Sequence, residues 1–169
     1  MIDARSIPKI IGFVLLGAAL GAGAILSYPV PLSEANQQIE VAHVRYACGD
    51  CYVQNRILKV SGVDGALTSQ RTADSENIAP VRYIGWDVIV RFNGDTDAIS
   101  EFLEHRYDTS GACIEPTFKL KGQLKRKLIY ALLYRGDKYD GTYFDATQAT
   151  AVYVASASCK QPVGEVPLQ

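Results

Sequence analysis

The sequence predicts a mainly β domain with one short helix, an α+β chain preceded by an N-terminal hydrophobic helix. Three observations carry this. Apolar and polar residues alternate from Phe118 to Leu128, the period of a half-buried strand. Apolar side chains at helical spacing follow a capping signal only around residues 95–107 of the exported part. Ten tyrosines, with abundant Thr and Val, favour strands over helices elsewhere.

The chain opens with Arg5 and Lys9, then an apolar run from Ile10 to Leu20, and no charge returns until Glu34. A cationic start followed by an apolar run and small residues is the pattern of an export signal. Ser33-Glu34-Ala35 offers a small-x-small cleavage site, Ala22-Gly23-Ala24 a second, and Pro29 and Pro31 break a helix just before the first. An uncleaved anchor is the alternative: Ile10 to Tyr28 is just long enough to cross a hydrocarbon core of about 30 Å at about 1.5 Å per residue. Either reading places the remainder outside the cytoplasm, in a periplasm, membrane-anchored or secreted. The expected organisation is a signal peptide or membrane anchor over 1–35, an extracytoplasmic domain over 36–160 and a loose tail over 161–169.

Residues 36–169 make about one ordinary domain. The whole chain holds 17 basic and 18 acidic residues. Residues 1–35 take two of each, leaving 15 against 16. A near-neutral domain is no general nucleic-acid binder. The charge is uneven, however: Lys119, Lys121, Lys125, Arg126, Lys127, Arg135 and Lys138 fall in one stretch whose only acid is Asp137.

The first strand is expected over Ile39–Tyr46 and its return over Tyr52–Val60, joined by a turn at Ala47-Cys48-Gly49-Asp50-Cys51. Residues 61–80, rich in Gly and small polar side chains, read as a loop. Val81–Phe92 reads as a strand pair or one long strand, with a bulge at Ile84-Gly85. Asn93-Gly94 breaks it, and Asp95 or Thr96 caps a helix because a short oxygen side chain accepts from first-turn amides. Ile99, Phe102, Leu103, Arg106 and Tyr107 continue at helical spacing, with Asp97 and Glu101 early and His105 late, as the helix dipole favours. In the strand from Phe118 to Leu128, Phe118, Leu120, Gly122, Leu124 and Leu128 share one face. Lys119, Lys121, Gln123, Lys125 and Lys127 share the other, and Arg126 is the exception on the apolar face. Gly136 to Gly141 turns the chain, and Thr142–Ala155 forms the last strand region.

This order, strands then a helix then strands, resembles the five-stranded OB barrel, whose helix lies between its third and fourth strands. The resemblance is one of element order over about residues 40–156 and implies a small OB-like β-barrel.

Four cysteines, Cys48, Cys51, Cys113 and Cys159, in an exported domain predict two disulfides, with three pairings open. Longer closed loops constrain the unfolded chain more, by about 3–5 kcal/mol each in the chain-entropy model. Cys48-Gly49-Asp50-Cys51 also has the spacing of a thiol–disulfide exchange site. Such a site opens a helix, and the Tyr, Val and Ile after it favour a strand. One CxxC without a second pair, with His43 and His105 off ligand spacing, gives no metal site. No GxSxG, HExxH or phosphate-cradling loop occurs, so neither catalytic residues nor a cofactor are expected.

Lys119, Lys121, Lys125 and Lys127, with Arg126 nearby, form a positive stripe, and Tyr130 and Tyr134 add stacking surface. Lysines often guard an edge strand. The functional expectation is a binding face for an acidic region of another envelope or exported protein, as in an inhibitor or immunity-type neutraliser. An anchored structural part of an envelope or secretion assembly is the alternative, and a thiol oxidoreductase using Cys48 and Cys51 is a third. An uncleaved N-terminus would make the membrane a further partner.

Overall fold

A computed structural model of the chain describes residues 17, 21–44, 54–61, 67–68, 81–106, 113–129, 141–157 and 163–169. Eight strands are present among them: β1 (Pro29–Pro31), β2 (Gln37–Val44), β3 (Gln54–Ser61), β4 (Leu67–Thr68), β5 (Asp87–Phe92), β6 (Thr117–Lys127), β7 (Thr142–Tyr153) and β8 (Gly164–Pro167). One helix, α1 (Ala98–Arg106), lies between β5 and β6. The protein is thus mainly β with a short helix.

Two compact units are distinguished, Met1–Val30 with Arg126–Gly141, and Pro31–Lys125 with Thr142–Gln169. In the first, residues 21–26 are helical. The Ser27 amide donates to the Gly23 carbonyl at 3.1 Å, and the Leu128 amide to the Tyr28 carbonyl at 3.0 Å. Among the described residues no helix is long and apolar enough to cross a membrane. Most of the expected signal or anchor lies outside them.

Seven strands follow one hydrogen-bonded path, β1-β6-β2-β3-β5-β7-β8, and β4 pairs with β3 beside it. The sheet is therefore broader than the five strands predicted. β6 also pairs with β7, which turns the path back on itself as a partial ring. β5 and β7 run parallel, Ile89 opposite Tyr143 through Phe92 opposite Ala146. A parallel pair needs a long crossover, and α1 and β6 supply it. Between β2 and β3 the register shifts: Glu40 faces Lys59 but Val41 faces Ile57, so Leu58 is an extra residue that bends the pair.

The core is in the second unit. Ile39, Val41, Ile57, Val60, Phe118, Leu120, Leu124 and Phe144 are all within 1 % of full burial. α1 contributes Ile99, Phe102 and Leu103, with Phe102 edge-on to Phe118 at 5.9 Å between ring centres. The Asp97 carbonyl accepts the first helical bond, from Glu101 N at 2.9 Å, while Asp95 Oδ1 accepts from Asp97 N at 2.8 Å. The predicted Asp95 is thus a partner of the helix start, and Asp97 holds the cap position.

Four expectations need correction. Val81–Tyr83 is a 3-10 turn rather than strand: Ile84 N bonds Val81 O at 3.1 Å, Trp86 N bonds Tyr83 O at 2.9 Å, and Gly85 at φ 83° ends it. Leu67–Thr68, inside the predicted loop, pairs with Val60 and Ser61. Pro29 and Pro31 do more than break a helix, since β1 joins β6 and the ladder continues through Leu32 N to Leu124 O at 2.8 Å. Ser33 extends this: Leu124 N donates to Ser33 Oγ at 2.9 Å, and Gln123 Nε2 to Ser33 O at 3.0 Å. The tail is not loose: β8 pairs with β7, Thr150 opposite Pro167 through Tyr153 opposite Gly164, and Leu168 is buried in the core.

Candidate functional site

β6 presents its lysines as the alternation predicts. Phe118, Leu120, Gly122, Leu124 and Arg126 are buried, Lys119 and Lys127 are exposed, and Lys121, Gln123 and Lys125 are half-buried. β2 lies alongside in antiparallel register, Gln38 opposite Lys121 and Glu40 opposite Lys119. Where β2, β6 and β7 come together they border a groove of about 150 Å³ lined by Gln38, Lys119, Lys121, Gln148 and Thr150. No acid lines it.

The stripe is partly neutralised from within the chain. Lys119 Nζ lies 2.5 Å from Glu165 Oε1 of β8, and Lys125 Nζ lies 2.5 Å from Asp145 Oδ2 of β7. The Lys119 pKa is raised, first by the hydrogen bond to Glu165, against an opposing effect of burial, and further by the charges of Glu165 and Glu40. Glu40 itself is 8 % exposed and ties three strands together. It accepts from Lys59 Nζ of β3 at 3.1 Å and from Thr117 Oγ1 of β6 at 3.0 Å. Lys121 makes no ion pair among the described residues.

The predicted partner-binding residues therefore separate. Lys119 and Lys121 meet at the groove, Lys125 is held by Asp145, and Lys127 is exposed. Arg126, 8 % exposed, lies on the buried side. Tyr130 and Tyr134 lie outside the described residues. Sequence reasoning missed the counter-charges Glu40, Asp145 and Glu165 and the groove walls Gln38, Gln148 and Thr150. No local pattern marks them, because each is brought to β6 by strand pairing.

Of the cysteines, Cys113 lies among the described residues, packs against the core and is not a free thiol. Cys48, Cys51 and Cys159 lie outside them. β3 begins at Gln54, three residues after Cys51. Among the described residues no cluster of three or more His, Cys, Asp or Glu side chains is placed to hold a metal. No family model, no curated protein and no solved structure matches this chain.

Proposed function

We propose that this chain is an extracytoplasmic binding module, disulfide-stabilised, whose β6 groove receives an acidic region of another envelope or exported protein, in the manner of an inhibitor or immunity-type protein. The observation that carries the reading is Lys121: a half-buried residue whose ammonium has no ion-pair partner among the described residues, set in a groove with a second lysine, two glutamines and no acid. Such a groove attracts carboxylates and supplies amide groups that orient them. The barrel part of the reading is OB-like. It is supported by the ring order β6-β2-β3-β5-β7, the β6–β7 pairing and the position of α1 between β5 and β6, the third and fourth of those strands in chain order. The export reading rests on Arg5, Lys9 and the apolar run after them.

Photo-crosslinking in the cells that make the protein tests it, with a benzophenone amino acid replacing Gln148. The expected result is a discrete protein adduct that disappears when Lys121→Glu is added and persists when Lys125→Glu is added. The absence of a discrete adduct, or one indifferent to Lys121→Glu, overturns the reading.

A further inference from the structure

We propose that the cleft between α1 and the turn after β5 is a second binding site, for an organic cation with an apolar body. The cleft encloses about 340 Å³, at the lower end of the roughly 300–1,000 Å³ typical of small-molecule sites. Its floor is Phe92 from the end of β5, Phe102 from α1 and Leu168 from beyond β8. Its rim carries Asp95, Glu101 and His105, and no lysine or arginine lines it. The two parts of the ligand follow from these two parts of the site. Phe92, Phe102 and Leu168 favour a hydrocarbon body over water. An ammonium beside it meets two carboxylates and lies near two aromatic side chains, while an anion meets repulsion.

One carboxylate is held in place before any ligand arrives. Asn93 and Gly94 both take positive φ, 52° and 87°, the geometry of a tight two-residue hairpin turn. Phe92 N donates to Asp95 O at 2.8 Å and Asp95 N to Phe92 O at 3.0 Å, and Asp95 Oδ1 accepts from Asp97 N. Ordering costs at this lip are therefore met by the fold, which favours binding. Glu101, exposed on α1, makes no ion pair among the described residues and is open to an incoming cation.

The test uses the full chain in a non-ionic maltoside detergent and three ligands of similar shape: phenethylamine, the neutral 2-phenylethanol and the anion 3-phenylpropionate. Amide shifts of residues 93–102 report binding locally. Phenethylamine is expected to give saturable shifts there and to bind at least about fivefold more tightly than the alcohol, with the anion weakest. Glu101→Gln is expected to reduce that preference, and Ala98→Phe, which fills the cleft, to remove binding of both amine and alcohol. Equal binding of the three ligands, no saturable shift up to the solubility limit, or a preference unchanged by Glu101→Gln overturns the proposal. None of these outcomes depends on Lys121, so this site and the β6 groove stand or fall separately.

Discussion

The carbonyl oxygen of Asp145 presses against Gly122 so closely that a Cβ at position 122 would overlap it and would lie 2.7 Å from the Ala146 Cα. This is where β7 passes over β6 and closes the partial ring. Glycine inside a strand weakens it by roughly 0.5–1 kcal/mol relative to alanine, and here the close approach of a second backbone requires it. Gly122→Ala is therefore expected to destabilise the chain by about 1–3 kcal/mol, the usual cost of forcing atoms into a packed site. Urea unfolding measures this. Faster amide exchange in β7 near Thr147, whose hydroxyl donates to the Lys121 carbonyl at 3.1 Å, would accompany it. Unchanged stability would refute the close approach.

Glu40 is the carboxylate that β2 keeps almost out of water, and its two acceptor oxygens are divided between β3 and β6. Glu40→Ala strands the Thr117 hydroxyl and removes the counter-charge of Lys59. A loss of about 1–3 kcal/mol is expected, the range for leaving buried polar groups unsatisfied. Glu40→Gln keeps an acceptor for Thr117 and should lose less. Equal losses in the two variants would show that charge rather than the hydroxyl bond decides.

Leu168 is 8 % exposed and belongs to the core cluster. Its amide donates to the Ala149 carbonyl at 2.9 Å, just past the end of the β7–β8 ladder. Leu168→Ala should cost about 2–4 kcal/mol, as for other buried leucines, whereas a dangling tail would register nothing. Thermal or urea unfolding of the full chain distinguishes the two.

These three cases show where sequence reasoning reaches and where it stops. The lysine face of β6, the inward Arg126 and the helix after Asn93-Gly94 were legible because period, capping and turn chemistry are local properties. β8 was not. Val166 and Leu168 are ordinary apolar residues near prolines, and the segment around Val166 becomes a strand only because the β7 edge is there to pair with. Val81 and Tyr83 alternate as a strand would, yet both are buried from a 3-10 turn. The counter-charges of the groove were equally hidden: Glu165 is 46 residues from Lys119 and Asp145 is 20 from Lys125. A stripe that reads as uniformly cationic in sequence is half-compensated once strand pairing is known.

Lys119 titrates above its ordinary value of 10.5, mainly because its ammonium is hydrogen-bonded to Glu165. A raised folded-state pKa means the folded chain holds this proton more tightly than the unfolded chain. The pair's contribution is therefore complete below the unfolded value and is lost as pH rises through the folded one. This pair alone thus gives no change in stability on moderate alkalinisation from neutral pH, and a decline only in strong alkali. NMR titration of the Lys119 Cε resonance should give a higher midpoint in the wild-type chain than in Glu165→Gln. Identical midpoints would rule out the coupling.

The two ion pairs of β6 should also differ in strength. Lys125 and Asp145 retain 24 % and 35 % side-chain exposure, against 44 % and 55 % for Lys119 and Glu165. Water screens the second pair more, and exposed pairs contribute only about 0–1 kcal/mol. Double-mutant cycles with alanine at each position are expected to give a larger coupling for Lys125–Asp145, which sits beside the Gly122 crossing and reinforces ring closure. The weaker Lys119–Glu165 pair is correspondingly easy to exchange. A carboxylate entering the groove replaces one exposed acid by another at Lys119, while Lys125 gives up a better-covered partner. The cycle thus ranks the lysines by their freedom to serve a partner, and a stronger coupling at Lys119 would reverse that ranking.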